Sequence, residues 1–356
     1  MVMNAPRAII EVAGVDVRWN DLTNVSFEDT LYLAANSFEA TFRNDRYLSD
    51  WFRKLQKVKI YMGYVMDPES WSKSELEHVF TGLVDGVKPD FGSSMTVGLV
   101  GRDYSAPLID TAYSIAYARR TASQIAEILA VKYKLAPLIT KTTAIAEKDL
   151  FGEKKEWEVL QALADLEGFV CYVTKNLELY FGPRKENDND IVAELNYRKP
   201  GMANCEINFD DSAVGVVNKV TVRHWMGQNK QLIQASAINQ QLVNAMGGQI
   251  KERIVYESKA KTYSLASTYA EKRLKEWSRM VITATGSCPG NPKMIAEKKV
   301  KVAGCGRFDE AYYIEKISHK IGKSEGYKNT FDLTSIRPDS AEQYRSDLYD
   351  NKEKTA

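Results

Sequence analysis

Val79-Phe80-Thr81-Gly82-Leu83-Val84-Asp85-Gly86-Val87, a turn around Asp90-Phe91-Gly92-Ser93, and Met95-Thr96-Val97-Gly98-Leu99-Val100 form the stretch whose reading decides the fold. Two runs rich in β-branched and apolar residues flank a turn carrying Asp and Gly, which is the pattern of a long β-hairpin. Gly82, Gly86 and Gly98 predict bends or bulges within it.

Upstream, from Arg7 to Arg102, the dominant signal has a period of two: Ile10-Val12, Val15-Val17, then Phe38-Ala40-Phe42 separated by Glu39 and Thr41. Such alternation buries one face of an antiparallel sheet. Downstream the pattern changes. Thr121-Ala122-Ser123-Gln124 is a capping-box sequence, followed by Ile125, Ile128 and Leu129 at helical spacing, which predicts a helix to about Tyr133. A second helix is expected from Lys155 to Glu167, with Trp157, Leu160, Leu163 and Ala164 on one face and Gly168 as its stop. Phe169 to Val173, a polar turn at Thr174-Lys175-Asn176, and Leu177 to Phe181 read as a hairpin, so residues 106 to 185 form a small α/β insertion.

Pro183 to Asp190 is charged and apolar-free, the composition of an exposed connection, and a domain boundary is expected there. Strand signals resume at Val216 to Val222, and the amide-rich stretch Gln228 to Gln249 reads as a loop or flap. Ser264 to Met280 is a helix with Ala266, Tyr269, Ala270, Arg273, Leu274 and Trp277 on one face, expected to pack across a sheet. Four strands follow, 281–285, 299–303, 312–317 and 329–333, and are expected to form a meander. Asp339 to Ala356 is charged and lacks a hydrophobic period, the composition of a tail that a partner would have to order.

The chain has 356 residues, enough for two or three domains, with 48 Lys plus Arg against 47 Asp plus Glu. This near-neutral balance gives no general attraction to phosphate backbones or anionic membranes. No stretch has the apolar length of a membrane span, and the start Met1-Val2-Met3-Asn4-Ala5-Pro6-Arg7 lacks the apolar core of a secretion signal, so a protein made and folded in the cytoplasm is expected. Cys171, Cys205, Cys288 and Cys305 show no C-x-x-C spacing and read as small buried hydrophobes.

The order of these parts resembles the tail hub proteins of contractile phages, often called late control protein D, and the related hubs of R-type bacteriocins and extracellular contractile injection systems. The resemblance runs nearly to Arg337. It is carried by Phe80-Thr81-Gly82-Leu83-Val84 leading to Gly101-Arg102-Asp103-Tyr104-Ser105-Ala106-Pro107-Leu108-Ile109-Asp110, and by Thr121 to Lys134. It continues in Trp157 to Ala164 before Gly168, and in Tyr313-Ile314-Glu315-Lys316-Ile317-Ser318-His319-Lys320 before Gly326-Tyr327. Glu297-Lys298 and Glu310-Ala311 depart from it where relatives carry a Pro-Gly turn and a glycine, and put those local turns in question.

The resemblance implies an α+β, β-dominated chain: two tube-like antiparallel β-barrel domains with a small α/β insertion domain. The boundaries are 1–105 for the first tube-like domain, 106–190 for the insertion, 191–337 for the second tube-like domain with its long helix, and 338–356 for the charged tail. It also implies a structural baseplate hub, a homotrimer whose pseudo-sixfold ring joins a hexameric tail tube to a trimeric central spike. The partners would be the tail tube protein, the central spike protein and baseplate wedge or other baseplate proteins, with the tape measure protein a further candidate and no membrane. The protein would reside in the baseplate of a virion or injection particle assembled in the bacterial cytoplasm.

Catalytic signals are weak by comparison. His78, His224 and His319 lie beside or within predicted strands, and neither H-E-x-x-H nor H-x-x-x-H occurs, so a surface or strand-packing role fits each. There is no G-x-x-x-x-G-K-S/T loop and no G-x-S-x-G elbow. Asp210-Asp211, and Asp188 with Asp190, could serve as paired carboxylates, but acidic residues in polar connections are usually solvated. Trp19, Trp51, Trp71 and Tyr47 could form a carbohydrate platform, although interleaving with Phe52, Leu55 and Val58 fits core and interface packing better. No catalytic, cofactor-binding or metal residue is therefore assigned, no cofactor is expected, and the protein is read as a non-enzyme. The alternatives are a peptidoglycan-cleaving tail enzyme and a distal tail protein of a non-contractile phage.

Overall fold

The structure, a computed structural model, describes residues 5–31, 35–92, 94–112, 119–143, 154–183, 191–197, 205–212, 215–227, 230–278 and 282–335. The expected charged tail at 338–356 lies outside them. The chain divides into two compact units. The first comprises Met1–Ala193, Ser287–Lys298 and Ile314–Phe331; the second comprises Glu194–Gly286, Lys299–Tyr313 and Asp332–Ala356.

The first unit opens with strands β1 (Ala5–Val12), β2 (Val15–Val17), β3 (Leu22–Thr30) and β4 (Ser37–Arg43), the short helix α1 (Leu48–Trp51), and strands β5 (Lys57–Val65), β6 (Glu77–Asp90) and β7 (Thr96–Asp103). They pair antiparallel in the order β3-β4-β7-β6-β5-β1-β2. The hairpin predicted from 79–100 is β6–β7, with a register shift between Val84 and Gly86 that marks the expected bulge. Alternation is realised as a buried face: Ile10, Val12, Val25, Phe27, Phe38, Phe42, Ile60, Phe80, Val97 and Leu99 are all within 3% of full burial. Of the residues read as core or interface packing, Phe52 and Val58 are buried and Leu55 is 73% exposed at a turn with φ +66°.

The α/β insertion holds its own core. Helices α2 (Ala106–Asp110), α3 (Ala122–Lys132) and α4 (Glu156–Glu167) enclose Leu108, Ile125, Leu129, Leu160, Leu163, Leu179 and Phe181 with a three-stranded sheet. That sheet is β8 (Ala136–Ile139), β9 (Val170–Val173) and β10 (Glu178–Gly182), with β10 in the middle, parallel to β8 and antiparallel to β9. Both helix predictions hold within a residue or two. Thr121 accepts from the Gln124 amide and Gln124 returns a bond to the Thr121 N–H, while Gly168 closes α4 at φ +71°. Thr121→Ala removes one side of this box and should lower stability by about 1 kcal/mol, read as a reduced guanidinium midpoint at unchanged slope.

The second unit contains β11 (Ile191–Asn196), β12 (Glu206–Asp210), β13 (Lys219–Met226), β14 (Gln231–Ile238), helix α5 (Gln240–Ala245), β15 (Glu252–Tyr256) and helix α6 (Tyr263–Ser278), then β16 (Thr283–Pro289) and β17 (Lys299–Ala303). The stretch read as a loop or flap is in fact β14 and α5. Its amides are poor strand formers, but β14 is held by an antiparallel register against β13 from Lys219↔Ile238 to Met226↔Gln231, and Asn239 caps α5 by accepting from the Leu242 N–H. α6 packs across β13 and β14, as expected, through Ala266, Tyr269, Ala270 and Leu274.

The last strands are β18 (Ala311–Gly322) and β19 (Gly326–Ser335). The expected four-strand meander is only partly formed: β17, β18 and β19 are consecutive neighbours, but β16 lies beside β19 and not beside β17. Within the first unit Lys316 to Gly322 of β18 pairs with Thr30 to Asn24 of β3; within the second, Lys299 to Lys301 of β17 pairs with Tyr313 to Ala311. The turn at Glu297-Lys298 forms without glycine, with Glu297 at φ +69° and its N–H donating to the Ile314 carbonyl. Cys171, Cys205 and Cys288 are buried as expected; Cys305 is only half-buried.

Candidate functional site

A concavity lies in the first unit. It is a cleft of about 230 Å³ walled by the end of β3, by Asn36 just before β4, by β6 and the end of β7, by the β9–β10 turn of the insertion, and by residues 295–298. The polar groups that tie its walls together include Asp29, Asn36, Asp103 with Ser105, Lys175, and the loop after Met294.

Asn36 is the link between two carboxylates. Its side-chain amide donates to Asp29 Oδ1 at 2.8 Å and its backbone N–H to Asp103 Oδ2 at 3.2 Å, while its own side-chain oxygen accepts from the Thr30 N–H. Asp29 Oδ2 accepts from the Ala296 N–H at 3.0 Å, so the carboxylate pins the loop that forms one wall. Asp103 Oδ1 accepts from both the N–H and the hydroxyl of Ser105, at 2.9 and 2.5 Å. The strand end thereby fixes the entry into α2. Lys175 reaches across from the insertion to donate to the His78 carbonyl at 2.6 Å.

Burial pushes Asp103 up to about 6, with the negative charge of Asp29 adding to the rise and the Ser105 bonds opposing it. Asp29 is raised as well, again by burial, against the pull of its bonds to Ala296 and Asn36 and the nearby Lys175 ammonium. These carboxylates act first as acceptors that hold backbone. Asp103 takes three hydrogen bonds and Asp29 two, where an ionised carboxylate has about four acceptor positions.

His319 fastens the other end of the same wall. It is fully buried, stacked on Phe27 with centroids 4.4 Å apart, and its Nε2 lies 2.8 Å from the Met294 carbonyl. A carbonyl only accepts, so Nε2 carries the proton and Nδ1 accepts from the Tyr327 hydroxyl at 2.7 Å. Burial lowers this imidazole to about 4, which keeps it neutral.

The residues singled out from sequence fall elsewhere. His78 bonds Thr81 Oγ1 at 2.8 Å, and His224, in the second unit, donates Nδ1–H to the Glu257 carbonyl. Asp210 is exposed at the end of β12 and Asp211 pairs with Arg307 at 2.6 Å; Asp188 and Asp190 lie outside the described residues. Trp19 and Trp71 flank the Arg7 guanidinium at 5.3 and 6.0 Å, and Trp51 packs on Phe52, while Tyr47 is 57% exposed. Asp29 and Asn36 carried no sequence signal, and Asp103 stood out only as part of the Gly101-Arg102-Asp103 passage. Among the described residues no three His, Cys, Asp or Glu side chains gather as metal ligands, and no helix is long and apolar enough to cross a membrane.

Comparison with known proteins places this geometry in context. The profile of a family described as Alg8 N-terminal domain matches residues 49–323. No curated protein matches the chain. Among solved structures, the 43 kDa tail protein of prophage MuSo2 from Shewanella oneidensis is similar, with a TM-score of 0.70 and 16% identity over 94% of this chain and 99% of that one. The tail protein from Neisseria meningitidis MC58 gives 0.70 and 15% over 95% and 99%. The E. coli c3393 protein, a component of the type VI secretion system with structural similarity to the T4 tail proteins gp27 and gp5, gives 0.56 and 14% over 91% and 76%. At such identities the likeness is one of fold, and the β-dominated α+β fold is the one that the resemblance to contractile tail hubs implies.

Proposed function

This chain belongs to the family described as Alg8 N-terminal domain, and from that premise and the tail-protein fold we propose that it is the structural baseplate hub of a contractile tail or injection system. The observation that carries the reading is the end-to-end congruence with a phage tail protein, 94% of this chain against 99% of that one. In this reading three copies form a pseudo-sixfold ring between a hexameric tail tube and a trimeric central spike. The first tube-like domain occupies residues 1–105, the insertion 106–190 and the second tube-like domain 191–337. Function then lies in affinity and symmetry, and the partners are the tube, the spike and neighbouring baseplate proteins.

The cleft is consistent with this role, because its carboxylates are engaged in holding the β6–β7 end, the insertion and the 294–298 loop together. Class-averaged electron micrographs of the purified protein should show three-lobed rings with pseudo-sixfold inner symmetry. Closed globular particles that also clear a suspension of cell-wall peptidoglycan, with the clearing lost in Asp103→Asn, would replace the hub by the enzyme reading.

A further inference from the structure

We propose that the cleft at Asp29 and Asp103 is a docking pocket for one arginine side chain, with its peptide carbonyl, presented by an extended segment of a partner protein. This inference stands on the pocket's own chemistry and is independent of the hub reading.

Charge is the first argument. Two carboxyl groups, joined through Asn36, face one cleft; of the two lysines that line it, Lys175 and Lys298, the one that eases the ionisation of Asp29 is Lys175, whose ammonium is already engaged with the His78 carbonyl. Among the described residues Asp29 accepts two hydrogen bonds and so keeps two acceptor positions open. A guanidinium has five donors in a flat fork and is less strongly hydrated than an ammonium, so it can engage carboxylate oxygens in a half-buried site at smaller desolvation cost.

The walls supply the second argument. Phe27, Phe80 and Trp157 line the same space and suit the aliphatic stem and flat head of arginine. Trp157 is 5% exposed, and its indole N–H, closed off from solvent, has no acceptor among the described residues; a small shift of the ring on binding would let a peptide carbonyl satisfy it. At about 230 Å³ the cleft is smaller than the usual range for a drug-sized ligand and matches a single long side chain.

The test uses the full chain, ¹⁵N-labelled, titrated with Nα-acetylarginine amide and, in parallel, with the neutral isostere Nα-acetylcitrulline amide. The reporter is the indole N–H resonance of Trp157, assigned by its loss in Trp157→Phe. The arginine probe should shift it saturably with a millimolar Kd, as befits so small a ligand, and the citrulline probe should leave it in place. Asp29→Asn should weaken the arginine probe by about tenfold or more, whereas Lys175→Met, which removes the cation that acts on Asp29, should tighten it severalfold. If Asp29→Asn loses the dispersed spectrum of the folded protein, the Lys175→Met result decides. Equal response to both probes, no response to either, or an affinity unchanged by Lys175→Met would overturn the proposal.

Discussion

Gly101→Ala is expected to destabilise the first unit by about 3 kcal/mol or more, a large fraction of the stability of an ordinary domain. Gly101 sits on β7 opposite Phe38 of β4 and Val84 of β6. A methyl group there would meet the Leu83 carbonyl oxygen at 2.0 Å and the Phe38 ring at 2.5 Å. Neither can yield cheaply: the first is ladder backbone, and Phe38 is buried against Phe80 with centroids 5.4 Å apart. Gly98, three residues earlier on the same strand, is the control, because its nearest neighbours would be the Lys88 side chain and carbonyl at an ordinary 3.7 Å. Denaturant titration of the two variants should separate them by at least about 2 kcal/mol. Similar midpoints would mean that β6 is free to shift away from β7.

The second large effect is a pair of opposed titrations, one at Asp103 in the cleft and one at His319 behind the loop that follows Met294. Asp103 is raised from 3.8 to about 6, so its protonated form fits the fold better. Its contribution is present in full below pH 3.8 and is lost as pH rises through about 6. His319 is lowered from 6.5 to about 4, so its neutral form fits; its contribution is present above 6.5 and is lost as pH falls through about 4. Each shift corresponds to about 3 kcal/mol, and between pH 4 and 6 the two nearly cancel.

Unfolding free energies measured against pH for the parent chain, Asp103→Asn and His319→Gln should expose both. The advantage of the parent over Asp103→Asn should grow by about 3 kcal/mol from pH 7 to pH 4, and its advantage over His319→Gln should shrink by a similar amount. Differences that stay flat across this range would show that neither group titrates abnormally.

The sequence made local order legible wherever neighbouring residues supplied both the pattern and the stop. The β6–β7 hairpin, α3 with its capping box, and α4 with Gly168 could all be read this way, since each signal is contiguous and spans fewer than about thirty residues. β14 could not, because its alternation of Ile233, Ala235 and Ala237 is weak and its stability comes from β13. The cleft was legible only in part. Asp29, Asn36, Asp103, Lys175 and Ala296 have no spacing that a sequence reader could recognise: Asn36 and Asp103 meet across 67 residues and Asp29 and Ala296 across 267. The paired acids that were visible, Asp210 with Asp211, are neighbours in sequence and lead only to a surface ion pair with Arg307.

The pairing of β3 with β18 joins positions separated by roughly 290 residues, which at the pace of bacterial translation is about 15 to 60 seconds of synthesis. Throughout that interval the nascent chain holds β3 with one side unmatched and Phe27 without the imidazole that stacks on it. An open strand edge with an apolar face is a template for pairing with other chains. Soluble yield should therefore depend on how quickly the ribosome reaches His319, and slow codons placed between 200 and 310 should harm it more than the same codons placed before Leu22.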